Sequence, residues 1–356
     1  MENFIVFSGE KFDLNKITYV TPKSKFQESC IAFIQDWQSG QELFSQHTSG
    51  STGNPKLIEI NRTQMMASAM MTIKALNLNP KMNSLLCLSP DYIAGKMMIV
   101  RSLINKMNII TAEPAVNPIT DLNHNIHFAA FTPMQMQAIL TEKSTAKKVN
   151  DFDTIILGGG EISSSLGAKL VDLKVKCFST YGMTETVSHI ALKRLNGPAK
   201  SNFYTALDGM EINIDHRECL TIKGAVTNFN TVATNDRVNL INDRQFEWLG
   251  RVDNVINSGG IKIQSEKIEQ SIELLIKQLQ IENRYFVYGI PDDKLGEKLT
   301  LIVEGELARG KITTLKNSLS ERLPKYEVPK EILFVKKFKE TPTGKINRKE
   351  TVESIN

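Results

Sequence analysis

Cysteine is scarce. The 356-residue chain holds four, Cys30, Cys87, Cys177 and Cys219, far apart and with no C-x-x-C pair. That spacing excludes a zinc ribbon and a disulfide scaffold. Reduced, buried thiols in a cytoplasmic protein are the expectation. Long apolar runs are missing too. No stretch reaches the ~18 residues of a membrane span. The N-terminal MENFIVFSGEKF carries Glu2 and too short an apolar run for a signal peptide. Nor is one sign of charge in excess: 43 Lys and Arg against 39 Asp and Glu leave a net +4. That is too dilute to imply nucleic-acid binding. With 23% charged and 41% hydrophobic residues the balance is that of a globular chain, not a disordered, collagen-like or acidic-tail one. At ~150 residues per domain the length predicts about two domains.

Patterning then divides the chain. Glu28–Trp37 reads as an amphipathic helix, and Arg62–Leu76 as a Met-rich one. Strand candidates recur at Leu85–Leu88, Ile109–Thr111, His127–Phe131 and Thr154–Leu157, with helix candidates Lys96–Ile104 and Pro133–Leu140 between them. This alternation predicts an α/β layer structure with largely parallel pairing. From about residue 203 short segments follow at turn-sized spacing: Met210–Ile214, Cys219–Lys223, Thr231–Thr234, Arg237–Leu240 and Gln245–Leu249. They predict antiparallel β structure. After Arg251 a compact α+β unit is expected, with a helix over Lys267–Leu279, another over Lys311–Leu323, and a boundary near Asp253.

Five segments could carry chemistry. Thr48-Ser49-Gly50-Ser51-Thr52-Gly53-Asn54-Pro55-Lys56 combines glycines, hydroxyls and a cation. Such a loop turns N–H groups, O–H groups and charge toward phosphate oxygens. Its spacing is not that of a Walker A loop. Gly305–Lys311 approaches that spacing but ends in Ile312, and reads as a surface turn. Tyr181-Gly182-Met183-Thr184-Glu185 offers an aromatic for stacking, a glycine for close approach and a carboxylate for Mg²⁺. Gly158-Gly159-Gly160-Glu161 follows a strand without a dinucleotide fingerprint. Gly250-Arg251-Val252-Asp253 precedes Ser258-Gly259-Gly260, Glu266 and Glu269. Pro342-Thr343-Gly344-Lys345-Ile346-Asn347-Arg348 closes the series. His124 and His127 lack a third ligand nearby, so a turn between strands explains them better than a metal.

Each segment alone has an ordinary structural explanation. Their order along one chain, from about His47 to the end, resembles the acyl-adenylate-forming superfamily of acyl-CoA synthetases, nonribosomal adenylation domains and luciferases. The resemblance implies a large N-terminal domain of layered α/β sheets plus a small antiparallel β part (1–252). A small C-terminal α+β domain (253–356) would be joined to it by a hinge. It implies ATP, Mg²⁺ and coenzyme A with a small carboxylic acid. Thr48, Ser49, Gly50, Ser51, Thr52, Gly53 and Lys56 would hold the β- and γ-phosphates. Gly159, Gly160 and Glu161 would line the adenine and acyl pocket. Tyr181, with Gly182 and Met183 in its turn, would stack on adenine; Thr184 would contact the α-phosphate and Glu185 ligate Mg²⁺. Asp236 and Arg251 would meet the ribose, and Asp253 would be the hinge. Lys345 would bridge the carboxylate and the α-phosphate. The loop from Ser258 through Gly259 and Gly260 would serve the pantetheine channel.

Two stretches, Tyr181–Lys193 and Ser258–Glu266, with Ala94–Arg101, narrow the resemblance to the o-succinylbenzoate–CoA ligases of menaquinone synthesis. Such an acid carries a second carboxylate, for which Ser188, His189, Lys96 and Arg101 are the candidates. The sequence departs from the pattern in places. Few residues precede the phosphate loop, so a homodimer could shield the sheet that a further subdomain covers elsewhere. Leu57 and Asn235 stand where glycines are usual, and Pro90-Asp91-Tyr92 where an aromatic-His pair is. Two alternatives accompany this reading: a ligase for another aryl or fatty acid, with CoA or a carrier protein as acceptor, and a non-catalytic nucleotide-binding relative.

Overall fold

The computed structural model describes residues 3–47, 57–340 and 346–355. Strands Phe4–Phe7 (β1) and Glu10–Asp13 (β2) form a hairpin. Its turn residues Ser8 and Gly9 both have positive φ, 49° and 83°, the signature of a tight two-residue hairpin turn. Helix α1 (Lys25–Gln38) starts where the Ser24 hydroxyl accepts the Gln27 N–H at 3.2 Å. It buries Phe26, Ile31, Ile34 and Trp37. Strands β3 (Leu43–His47) and β4 (Leu57–Asn61) pair as an antiparallel ribbon. Helix α2 (Arg62–Leu76) opens on a reciprocal cap between Asn61 and Gln64, with bonds of 2.8 and 3.0 Å. It ends at Asn77, left-handed at φ 52°.

The chain then alternates: β5 (Asn83–Leu86), α3 (Ile93–Ile104), β6 (Asn108–Thr111), β7 (Phe128–Phe131), α4 (Pro133–Thr141), α5 (Lys143–Asn150), β8 (Thr154–Leu157), α6 (Ser164–Val171) and β9 (Lys176–Gly182). β1, β6, β5, β7, β8 and β9 lie side by side and parallel. Successive residues of these strands feed opposite cores. Leu86, Ile109, Phe128, Ala130 and Ile156 join α1, α2 and α3 on one face. Leu85, Ile110, Ala129, Phe131, Ile155 and Leu157 join α4, α5 and α6 on the other. Burial on both faces explains why β7 and β8 read FAAF and TIIL rather than as alternating strands.

Beyond β9 the same sheet continues antiparallel through β10 (His189–Arg194), β11 (Tyr204–Ala206), β12 (Glu211–Ile214), β13 (Cys219–Lys223), β14 (Val232–Asn242) and β15 (Gln245–Arg251). The thirteen strands run β12-β13-β14-β15-β11-β10-β9-β8-β7-β5-β6-β1-β2. The antiparallel part is therefore an extension of the parallel sheet. The expected segments Thr231–Thr234 and Arg237–Leu240 are one strand, β14. Its register shifts after Arg237 and after Leu240, and such bulges break the two-residue alternation.

Val252–Asn254 form one tight turn into a second sheet. Its elements are β16 (Val255–Ser258), β17 (Ile261–Gln264), α7 (Ser265–Gln278), β18 (Tyr285–Asp292), β19 (Gly296–Glu304), α8 (Arg309–Arg322), β20 (Glu331–Val335) and α9 (Arg348–Glu353). The order is β17-β16-β19-β18, with β20 parallel beside β19. Ile268, Ile272, Leu275 and Ile276 of α7 meet Leu315 and Leu319 of α8 in its core. No helix among the described residues is long and apolar enough to cross a membrane.

Candidate active site

Tyr181 sits at the end of β9, where the sheet changes from parallel to antiparallel. Its ring packs edge-on to Phe246 at 5.1 Å and against Tyr204 at 5.8 Å. Its hydroxyl donates to Asp236 Oδ2 at 2.7 Å. The other oxygen of Asp236 accepts Trp248 Nε1–H at 3.2 Å and lies 3.8 Å from Arg251 Nη1. β14 and β15 place Asp236 and Arg251 opposite each other in register. Burial and the neighbouring Asp236 carboxylate push the Tyr181 pKa well above its ordinary value, so the phenol stays a donor. Arg251 also pairs with Asp253, whose carboxylate accepts from Asn235 Nδ2 at 3.2 Å. The Arg251 N–H donates to Glu266 Oε1 at 3.2 Å, tying the end of β15 to the first turn of α7.

The turn after Tyr181 is built by close approach. A Cβ on Gly182 would lie 2.3 Å from Ser188 O and 2.5 Å from His189 Cα, so only glycine fits there. Thr184 is buried, whereas Glu185 is exposed and carries no hydrogen bond or ion pair among the described residues. A free carboxylate of this kind suits a hard cation. Among the described residues no group of three or more His, Cys, Asp or Glu could hold a metal by itself. By itself Glu185 offers one carboxylate, the oxygen donor type that Mg²⁺ takes. Val187 then adopts φ 65°, ψ −57°, with Ser188 N–H donating to Thr186 O at 2.7 Å. This is the rare strained γ-turn, on a β-branched residue 1% exposed. It turns Ser188 and His189 toward α2 and α3.

There they meet Arg101. Its guanidinium is 2% exposed, and no carboxylate pairs with it among the described residues. Nη2 donates to Ser188 Oγ at 2.9 Å, Nη1 lies 3.9 Å from Met98 Sδ, and Nε has no partner. Burial pulls its pKa down to about 9. His189 is buried on the far side of Ser188: Nδ1 lies 3.4 Å from Ser188 Oγ, and Nε2 lies 3.0 Å from Thr72 Oγ1. Desolvation first, and the Arg101 charge second, lower its pKa well below the ordinary value, so the imidazole is neutral. Thr72 was not a sequence candidate: one threonine in a Met-rich helix carries no local signal of a polar role.

The remaining candidates are distributed around this centre. Lys96, on α3, faces away from Arg101: Nζ reaches Ser45 O at 3.2 Å and Gln46 Oε1 at 3.0 Å, bracing β3. Gly159 is left-handed at φ 81°, and a Cβ on Gly158 would strike Thr180 Oγ1 at 2.4 Å, so the loop after β8 packs tightly on β9. Glu161 at its end is solvent-accessible, yet the surrounding protein raises its carboxyl pKa against the opposing pull of Arg348. Ser258 ends β16, and Gly259 and Gly260, at φ 60° and 81°, make its hairpin turn with β17. Thr48, Ser49, Gly50, Ser51, Thr52, Gly53, Lys56 and Lys345 lie outside the described residues.

Residues 14–218 match the AMP-binding enzyme family, and residues 272–345 match the AMP-binding enzyme C-terminal domain. The chain belongs to the AMP-binding enzymes. A solved relative of this AMP-binding enzyme is an acyl-CoA synthetase (AMP-forming)/AMP-acid ligase II-like protein from Dyadobacter fermentans. It is 42% identical over 95% of this chain and 97% of its own, with a TM-score of 0.65. The 2-succinylbenzoate–CoA ligases of Salmonella typhimurium and Lactococcus lactis are 24% and 26% identical, over 86% and 90% of this chain. This AMP-binding enzyme is the shorter partner: it covers 67% and 73% of those two proteins. The o-succinylbenzoate coenzyme A synthetase of Bacillus subtilis, solved with ATP and magnesium, shares the fold at a TM-score of 0.71. It is 22% identical over 86% of this chain and 69% of its own.

Proposed function

We propose that this AMP-binding enzyme is an ATP-dependent acid–CoA ligase and that its acid is o-succinylbenzoate, converted to the CoA thioester for menaquinone synthesis. The observation that carries the choice of acid is the Arg101 guanidinium, buried next to Ser188 with no counter-charge among the described residues. An uncompensated buried cation is costly. A second carboxylate on the substrate would supply the missing charge from the side where the guanidinium comes nearest the surface, at the half-buried Ser188. The names of the 2-succinylbenzoate–CoA ligases support the same acid.

The reaction has two halves. The acid's other carboxylate attacks the α-phosphorus of ATP and expels pyrophosphate; CoA sulfur then attacks the acyl carbonyl and expels AMP. No general base is needed in the first half, since a carboxylate is ionised at neutral pH. What this chain supplies is position and charge. Thr48, Ser49, Gly50, Ser51, Thr52, Gly53 and Lys56 hold the β- and γ-phosphates, Thr184 the α-phosphate. Tyr181, packed on Phe246, presents its ring to adenine beside Gly159, Gly160 and Glu161, with Gly182 and Met183 shaping the turn. Asp236 and Arg251 hold the ribose. Glu185 would hold Mg²⁺, which when bound supplies positive charge against the phosphates. Lys345 bridges the attacking carboxylate and the phosphate. Residues 1–252 form the ATP- and acyl-binding domain, and residues 253–356 a domain that turns about Asp253. That turn withdraws Lys345 and brings Ser258, Gly259 and Gly260 to the CoA channel. The reaction is cytoplasmic and involves no nucleic acid. A second copy of the chain covers apolar surface such as the exposed Met66 and Met70 of α2.

The test is AMP and thioester release from ATP, Mg²⁺ and CoA with o-succinylbenzoate, benzoate or a medium-chain fatty acid. Turnover with o-succinylbenzoate alone is expected. Turnover with either other acid and not with this one would overturn the choice of substrate and keep the ligase chemistry.

A further inference from the structure

We infer that Thr72 is a positioning residue for the acid site, fixing the direction of every hydrogen bond between α2 and the Arg101 guanidinium. The inference rests on the reading of Arg101 as partner of the substrate's second carboxylate. Its basis is a chain of donors and acceptors that can be assigned one by one. Ser68 O, a carbonyl, can only accept, and Thr72 Oγ1 lies 3.1 Å from it. We assign the Thr72 hydrogen to that carbonyl, the i−4 back-bond of a helical threonine. Toward His189 Nε2, 3.0 Å away, Thr72 can then only accept, so His189 carries its proton on Nε2. Nδ1 is left bare, facing Ser188 Oγ at 3.4 Å. Ser188 gives its hydrogen to Nδ1 and accepts from Arg101 Nη2 at 2.9 Å.

Every member of this chain beyond Arg101 is neutral: a hydroxyl, an imidazole, a second hydroxyl and a backbone carbonyl. The chain therefore holds the guanidinium in place without cancelling its charge, which an aspartate or glutamate at either hydroxyl position would do. Thr72, His189 and Arg101 are 0%, 5% and 2% exposed, whereas Ser188 is half-buried. The chain therefore comes nearest the surface at Ser188, beside the turn that carries Thr184 and Glu185. Removing the Thr72 hydroxyl frees the imidazole to change tautomer. An Nδ1–H would then compete with Arg101 for Ser188 Oγ.

The test compares wild type with Thr72→Val, Thr72→Ser and Arg101→Met. It uses o-succinylbenzoate and 4-oxo-4-phenylbutanoate, the same acid without its ring carboxylate, and reads the His189 tautomer by ¹⁵N NMR. Thr72→Val is expected to raise KM for o-succinylbenzoate about tenfold, the scale of one net hydrogen bond. KM for ATP and for the monocarboxylate should stay put. Thr72→Ser should restore the wild-type value. In wild type the NMR should show Nε2–H. An Nδ1–H tautomer there overturns the inference even if Thr72→Val fails to fold. Equal losses for both acids also overturn it, because they describe general damage. If Arg101→Met removes the preference for the dicarboxylate and Thr72→Val does not, the inference fails alone. If Arg101→Met leaves the preference intact, the reading beneath it fails.

Discussion

Acidification should weaken the large sheet through His189. An ordinary histidine takes up its proton near ~6.5. His189 resists: it is 5% exposed, lies 3.0 Å from Thr72 Oγ1 and sits one serine away from the Arg101 charge. Its folded pKa is well below the ordinary value. Below pH ~6.5 the unfolded chain binds a proton that the folded chain does not, so stability is fully present above that pH and lost as pH falls. While the folded imidazole stays neutral the slope is about 1.4 kcal/mol per pH unit. Urea unfolding between pH 5 and 8 reads it. The two tryptophans are Trp37, in α1, and Trp248, in β15, so their fluorescence follows the unit that holds His189. Carboxylates contribute to the raw slope as well. The difference between wild type and His189→Gln isolates the imidazole, and that difference should shift against wild type as pH falls from 7 to 5. A difference that stays constant across the range would refute the neutral, buried assignment.

Three further outcomes are expected. Lys345→Ala should lower adenylation at least ~100-fold while thioester formation from supplied acyl-adenylate survives; pyrophosphate exchange and a CoA-thiol assay separate the two, and equal losses would assign Lys345 another role. Asp236→Asn keeps the shape but removes the charge facing Tyr181, Trp248 and Arg251. ATP affinity, read by Trp248 quenching, should drop about tenfold with acid KM unchanged, the scale of one charge-assisted hydrogen bond. Gly182→Ala drives a methyl into Ser188 O and His189 Cα, at 2.3 and 2.5 Å. It should lower the melting temperature by the equivalent of about 1–3 kcal/mol and cut kcat/KM for the acid; an unchanged melting temperature would show that the turn has slack.

Much of the scaffold was legible because local chemistry and burial agreed. Thr154–Leu157 and Arg62–Leu76 appear at the expected limits: an unbroken apolar run between turns, and an apolar helix with a cap. The β1–β2 hairpin was not legible, since four-residue strands are too short to show a period. Nor was the joining of Thr231–Thr234 to Arg237–Leu240, which bulges disguise. At the site the motifs marked Tyr181 and Asp236, 55 positions apart and now 2.7 Å from one another. The pairing itself needed the sheet. Ser188, His189 and Arg101 were candidates by residue type, and the structure joins them, while it sets Lys96 on β3 instead. The γ-turn at Val187 had no signal, because valine is not a turn residue. Thr72 had none because its role exists only once α2 lies against β10.

In the proposed reaction Arg101 recognises the second carboxylate of the acid. The direct measurement is the ratio of kcat/KM for o-succinylbenzoate over 4-oxo-4-phenylbutanoate, in wild type and in Arg101→Met. A wild-type ratio of at least ~100 is expected, the scale of losing the partner of a buried charged group. In Arg101→Met it should fall toward one, because the monocarboxylate never used the guanidinium. A ratio near one in wild type, or one that Arg101→Met leaves unchanged, would contradict the account.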